Sequence, residues 1–191
     1  MICKPMKRPF LSALSGLAAA LFLSLLFSQQ VAYAASAGEI NIKVDSALQR
    51  FKKEVSGGSR FISNANGVLV FPDVIKAGFG IGGEYGEGAL RVGGKTVAYY
   101  NTAAASIGFQ LGGQIKTVVI VFLKQSALNK FRQSDGWKVG VDGSVAIVEW
   151  GVGEDINTMD INDPVVGFVF DNKGLMYNLT IEGSKITRIY K

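Results

Sequence analysis

The stretch Gly78-Phe79-Gly80-Ile81-Gly82-Gly83-Glu84 puts a glycine at every second position. On a strand, alternate residues share a face. Phe79 and Ile81 therefore point one way, while Gly78, Gly80 and Gly82 leave the other face bare. A second stretch, Gly108-Phe109-Gln110-Leu111-Gly112-Gly113-Gln114, follows the same plan, with Phe109 and Leu111 opposite Gly108 and Gly112. A bare face admits another backbone, a helix or a ligand at close range. The pattern has two readings: tight packing in a strongly coiled sheet, or a ligand surface. Either way, Gly80 and Gly112 are expected where a β-carbon has little room. Two copies are too few for a repeat protein. The chain holds 24 glycines against 4 prolines, which excludes collagen and a Pro-rich linker.

Around these stretches the hydrophobic period separates helix from strand. Ile40, Val44, Ala47, Leu48, Phe51 and Val55 recur at helical spacing and predict an amphipathic helix over residues 39–55. Ser56-Gly57-Gly58-Ser59 ends it, and a short second helix is predicted over 60–65. Strands are predicted over 67–71, closed by Pro72-Asp73, then over 77–85, 88–92, 95–100, 102–114 and 116–123. Gly93-Gly94 reads as a two-residue hairpin turn. A short helix over 125–132 follows, then strands within 137–150 around Asp142-Gly143, and a polar loop over 153–163. A hairpin of 165–170 and 175–181 turns at Asp171-Asn172-Lys173-Gly174. Residues 184–190 close the chain as a strand or a helical turn. Many short strands with helices mainly at the front predict an α+β domain. Its centre is a curved antiparallel sheet or half-open barrel, covered by the N-terminal amphipathic helix and short helices.

The 191 residues allow one ordinary domain. The first 34 read as an export signal. Lys4, Lys7 and Arg8 precede an uncharged apolar run from Phe10 to Phe27, and Ala32-Tyr33-Ala34 is a small-x-small cleavage site. Cleavage is expected after Ala34 or one residue later; an uncleaved signal anchor is the alternative. The domain then spans 35–191. Three of the 20 basic residues lie in the leader, so the formal charge of +5 falls to +2 in the mature chain. That balance does not point to nucleic acid. The single cysteine, Cys3, precedes the apolar run, so no lipid anchor is expected. A periplasmic or secreted protein is expected, with peripheral attachment to the envelope.

The chemistry available to the mature chain is narrow. It holds no histidine and, after cleavage, no cysteine. The usual catalytic triads and most zinc sites are excluded, and neither a metal nor a cofactor is expected. Gly78-x-Gly80-x-x-Gly83 matches a dinucleotide fingerprint only formally, because Glu84-Tyr85-Gly86-Glu87-Gly88 is poor helix material. Glu154, Asp155, Asp160 and Asp163 lack calcium-loop spacing and read as a solvated loop. Two carboxylates acting as acid and base are conceivable for hydrolysis, for example Glu84 with Glu87, and nothing marks them beyond their presence.

Cations beside apolar surface remain. Arg50, Lys52 and Lys53 end the first helix, Arg60 follows closely, and Lys76 abuts the first glycine strand. Basic residues along an apolar helix face suit an anionic lipid interface. The alternative is that the helix covers the sheet and its cations are simply solvated. Both readings leave Arg50, Lys52 and Lys53 in water.

The run from Gly67 to Gly83, GVLVFPDVIKAGFGIGG, resembles the signature of the SYLF domain family, also called the yeast actin-patch or actin-binding domain family. The likeness continues through Tyr85-Gly86-x-Gly88 and Ser106-Ile107-Gly108-Phe109-Gln110-Leu111-Gly112-Gly113-Gln114. It extends through Ala127-Leu128-x-x-Phe131, Gly136-Trp137, Gly174-Leu175-Met176 and Glu182-Gly183-Ser184-Lys185, covering nearly all of 39–191. The resemblance implies a non-enzymatic module that binds phosphoinositide-type or other anionic head groups at a membrane surface. In eukaryotic members it couples membranes to actin assembly, usually beside SH3 or FYVE domains; bacterial members are typically exported stand-alone domains. The portable expectation is anionic-lipid binding through Arg50, Lys52, Lys53, Arg60 and Lys76. The alternative is an envelope scaffold that binds protein and not lipid.

Overall fold

Ser36 starts the first helix because its hydroxyl accepts from the Glu39 backbone N–H, while the Glu39 carboxylate accepts from the Ser36 N–H at 2.7 Å. This reciprocal capping box satisfies two otherwise orphaned donors. In the computed structural model, which describes residues 35–149, 163–174 and 183–191, the box opens α1 (Ala37–Glu54). Ile40, Val44, Ala47 and Phe51 form its buried stripe. A left-handed Gly57 then admits α2 (Gly58–Asn64).

The sheet is built on one long hairpin. Strand β1 (Gly67–Val92) pairs antiparallel with β2 (Lys95–Phe122) from Gly67↔Phe122 to Val92↔Lys95. Gly93 and Gly94 have φ of 57° and 78°, which the tight turn requires. Helix α3 (Gln125–Gln133) follows, then β3 (Trp137–Lys138), β4 (Ala146–Glu149), β5 (Val165–Gly174) and β6 (Lys185–Ile189). Beyond its edge with β1, β2 pairs with β5 along Gln114–Phe122 and with β6 along Tyr99–Ala103. The strand order is β3-β6-β2-β5-β4, and the sheet is strongly curled into a half-open barrel. The α+β expectation is met.

Glycines make the curl. The two glycine-rich stretches face each other across the ladder, with Gly78 opposite Gly112 and Ala77 opposite Gly113. Between Phe79↔Leu111 and Ile81↔Ile107, β1 advances two residues while β2 advances four, and such an irregularity bends a hairpin. β1 then doubles back on itself. A β-carbon at Gly86 would stand 2.9 Å from the Asp73 carbonyl oxygen; one at Gly88 would strike the Val70 carbonyl and the Phe71 ring. One at Gly78 would strike the Gly82 Cα. At Gly78, Gly86 and Gly88 the missing side chain therefore serves backbone-to-backbone packing, while Gly80 lies outside the described side chains.

Strand alternation divides the core in two. Val68, Val70, Val119, Val121, Val166, Phe168 and Phe170 pack under α1 and α2. Phe51 and Phe61 meet Phe168 edge-on at 4.9 and 4.7 Å between centroids. Leu69, Phe71, Val118, Ile120 and Phe122 point the other way, to α3 and Trp137. Phe131 of α3 sits 4.9 Å from Tyr100 and from Phe122, and lies perpendicular to Trp137. Each such side chain contributes about 1.5–3 kcal/mol on burial.

Four expectations about the sheet are corrected. The short strands over 67–123 are two continuous ones, because bulges and glycine bends turn the chain without breaking the ladder. Pro72 does not end its strand. β1 is an edge strand, so the missing N–H costs no ladder bond, and the Pro72 carbonyl accepts from Thr117 Oγ1 at 2.9 Å. The expected turn over 171–174 belongs to β5, where Gly174 pairs with Gln114. The sheet is also not wholly antiparallel, since β4 and β5 run parallel. The leader over 1–34, most of the polar loop and the strand over 175–181 lie outside the described residues.

Candidate functional site

Helix α1 ends where the Val55 N–H bonds back to the Phe51 carbonyl. Lys52 and Lys53 occupy its last turn, where cations favour the negative end of the helix dipole. Both are exposed, as is Arg60 on α2. Among the described residues, none of these three side chains has a hydrogen-bond or ion-pair partner. Lys52 also borders a groove of about 610 Å³ between α1, α2 and the β1–β2 turn. Arg91 lies in the same groove, its guanidinium held by Asp45 at 2.6 Å.

The other two expected cations stand elsewhere. Arg50 is half-buried and reaches Thr117 Oγ1 of β2 at 3.4 Å. The expectation that it stands in water beside Lys52 and Lys53 is corrected: its position on the helix turns it to the sheet. Lys76 is only 5% exposed. It pairs with Gln114 on the face that carries Val74 and Lys116, and Val74 belongs to the core. Three of the five thus share one exposed joint, one pins that joint to the sheet, and one lies within the roll.

The apolar stripe of α1 is core. Phe51 is fully buried against Phe168 and Phe170. Of the two readings of this helix, the structure meets the one in which it covers the sheet, since the sheet takes its apolar face.

The sequence reading missed a buried ion pair. Lys116 Nζ donates to Glu84 Oε2 at 2.9 Å, with side-chain exposures of 0% and 6%. The carboxylate pair Glu84 with Glu87, named from the sequence, does not form. Three apart on a strand, the two point to opposite faces, and that parity was a usable signal. Glu87 instead accepts from Lys191 Nζ and from the Tyr85 hydroxyl, each at 2.9 Å. Partial burial, then the Glu87 bond, raises the Tyr85 pKa. Burial also raises that of Tyr100. Among the described residues, no group of three or more His, Cys, Asp and Glu could hold a metal. No described helix is long and apolar enough to cross a membrane.

Residues 103–190, from within β2 to beyond β6, match the family model described as "Ysc84: Las17-binding protein actin regulator". No curated protein matches the chain. The matched stretch includes the second glycine-rich segment, Lys116 and the Phe131–Trp137 contact. Over residues 103–190 the chain matches the Ysc84 (SYLF) domain, the family that the sequence resembles.

Proposed function

We propose that the domain is a non-catalytic module that docks on an anionic membrane surface, with Lys52, Lys53 and Arg60 meeting head-group phosphates. The observation that carries this reading is the exposed joint of α1 and α2. Three cations stand there without acidic partners among the described residues, on helices whose apolar faces are anchored in the core. A rigid basic face attracts anionic lipid at about 1 kcal/mol per cation near the surface, and salt weakens it. Arg50 orients that face by its bond to Thr117, and Lys76 takes no part in it. An exported location, periplasmic or secreted, belongs to the same proposal. It requires a mature N-terminus at or near Ala35, which mass spectrometry of the native protein would read.

The experiment is co-sedimentation with phosphatidylcholine vesicles carrying a rising share of phosphatidylglycerol. Wild type should bind in proportion to the anionic share. The Lys52→Glu/Lys53→Glu/Arg60→Glu variant should bind by well over tenfold less at low salt, with unchanged melting. Equal binding by both proteins removes this joint from the site. The family description favours a second reading, a protein partner in place of lipid; no vesicle binding by wild type would leave that reading in place.

A further inference from the structure

Eight large apolar side chains stand exposed among the described residues, and four of them lie along the β1–β2 hairpin on either side of its bend. Ile75, Ile81, Tyr85 and Ile115 are 53%, 75%, 48% and 43% exposed. Ile75 and Ile115 are direct ladder partners, so their side chains stand on one face. Ile75 and Tyr85 also border a hollow of about 350 Å³, closed by Ala77, Gly83 and Glu84. The chain around this corner carries no charge at all over 77–83 and 102–113. An exposed strand face without charges is not what a solvated edge needs. Contiguous apolar surface of this kind marks an interaction site.

The corner borders the basic joint. Thr117 stands two residues beyond Ile115 on the same strand face, and Arg50 bonds to it. Lys53, one turn after Arg50, shares that side of α1. On the same face farther along β2, Val119 and Val121 are buried beneath the helices, whereas Ile115 is left open. Apolar residues beside a cationic rim are the composition of an interfacial lipid anchor. A specific protein partner would want polar groups to fix its register. This corner offers mostly glycine and alanine, and the carboxylates beside it are taken, Glu84 by Lys116 and Glu87 by Lys191.

We infer that the Ile75–Ile115 corner of the sheet, and not the apolar face of α1, is the element that enters the acyl boundary of a lipid bilayer. The inference rests on the membrane reading above and names the part of the domain that inserts. The Arg50–Lys53 end of α1 then lies at head-group level.

The test places tryptophan at the corner. Ile115→Trp, and as a control the still more exposed Val141→Trp, are mixed with phosphatidylcholine–phosphatidylglycerol vesicles containing brominated acyl chains. Wild type supplies the baseline for Trp137 and Trp150. The Ile115→Trp signal should be quenched strongly and the control hardly at all. In parallel, Ile75→Ser/Ile115→Ser should keep its melting temperature and lose about tenfold or more of its binding at high salt, where only the apolar contribution survives. If wild type sediments with vesicles but Ile115→Trp is quenched no more than the control, the inference is overturned while the membrane reading stands. If wild type does not sediment, both fall. If wild type self-associates without vesicles and the double serine variant does not, the corner belongs to a second copy and the inference is overturned.

Discussion

Lys116 and Glu84 form a buried ion pair at 2.9 Å although they belong to opposite arms of the hairpin and are not ladder partners. Glu84 pairs with Ala104 and Lys116 with Val74, so the contact exists only because the sheet has rolled over. It is a tertiary clasp across the curl. Removing one partner leaves a buried charge without its counter-ion, which typically costs about 3–5 kcal/mol. Glu84→Gln and Lys116→Met should each lower stability by that order in urea titrations. The double variant Glu84→Gln/Lys116→Met should recover part of the loss, since replacing both charges is far cheaper than orphaning one. Two single losses that simply add would show that the clasp contributes nothing as a pair.

The glycines of the curl should differ sharply in what they tolerate. Gly88→Ala drives a methyl group into the Val70 carbonyl and the Phe71 ring and should cost about 1–3 kcal/mol through overpacking. Gly83→Ala meets nothing nearer than the Ala104 carbonyl oxygen at 3.9 Å and should be close to neutral. Gly112→Val should be costly for another reason, since φ of 139° is a backbone conformation that L side chains rarely adopt. Thermal melts of the three variants read the order directly, and equal losses at Gly83 and Gly88 would contradict the doubled-back strand.

The parts legible in the sequence were those with local causes. The helix over 39–55 followed from apolar spacing and a stopping glycine pair, and it lies at Ala37–Glu54. Gly93-Gly94 announced a turn because few other residues adopt its backbone. The glycine stretches announced a close approach, though not by what. Strand continuity was illegible, because Pro72 reads as a stop unless β1 is known to be an edge. The burial of Lys76 and Lys116 was illegible too. A lysine reads as solvated by default, and the acid that neutralises Lys116 is 32 positions away, brought near only by the roll. Arg50 read as one of three solvated cations because helical spacing ranks faces but does not say how wide a face the sheet will cover.

The capping box gives α1 a pH dependence of known sign. The backbone N–H of Ser36, then its hydroxyl, holds the Glu39 carboxyl below its usual value of 4.5. A depressed folded-state pKa adds stability that is present above the unfolded value and lost as pH falls through the folded one. The first turn of α1 should therefore fray as pH drops below about 4.5. Glu39→Gln should weaken that dependence while keeping a capping side chain. Amide exchange of residues 37–40 against pH reads this. Exchange that is flat in wild type through the acid range would show that the box does not hold the helix end.

The last prediction separates the two uses an amphipathic helix can have. If the stripe of α1 were an insertion surface, Phe51 would be spare in the free protein, and Phe51→Ala would spare stability and weaken vesicle binding. In this fold Phe51 has no exposed surface and packs against Phe168 and Phe170, with Phe61 also meeting Phe168 edge-on. Truncating it opens a cavity among rigid rings that cannot easily collapse. Phe51→Ala should cost about 3–5 kcal/mol, read as a lower urea midpoint with an unchanged slope. Vesicle binding by the fraction still folded should match wild type, because the exposed cations of the joint remain in place. Lys53→Glu is the mirror image, leaving the urea midpoint within about 0.5 kcal/mol of wild type while weakening binding at low salt. A Phe51→Ala protein with wild-type stability and lost binding would invert the assignment and make α1 itself the inserting element.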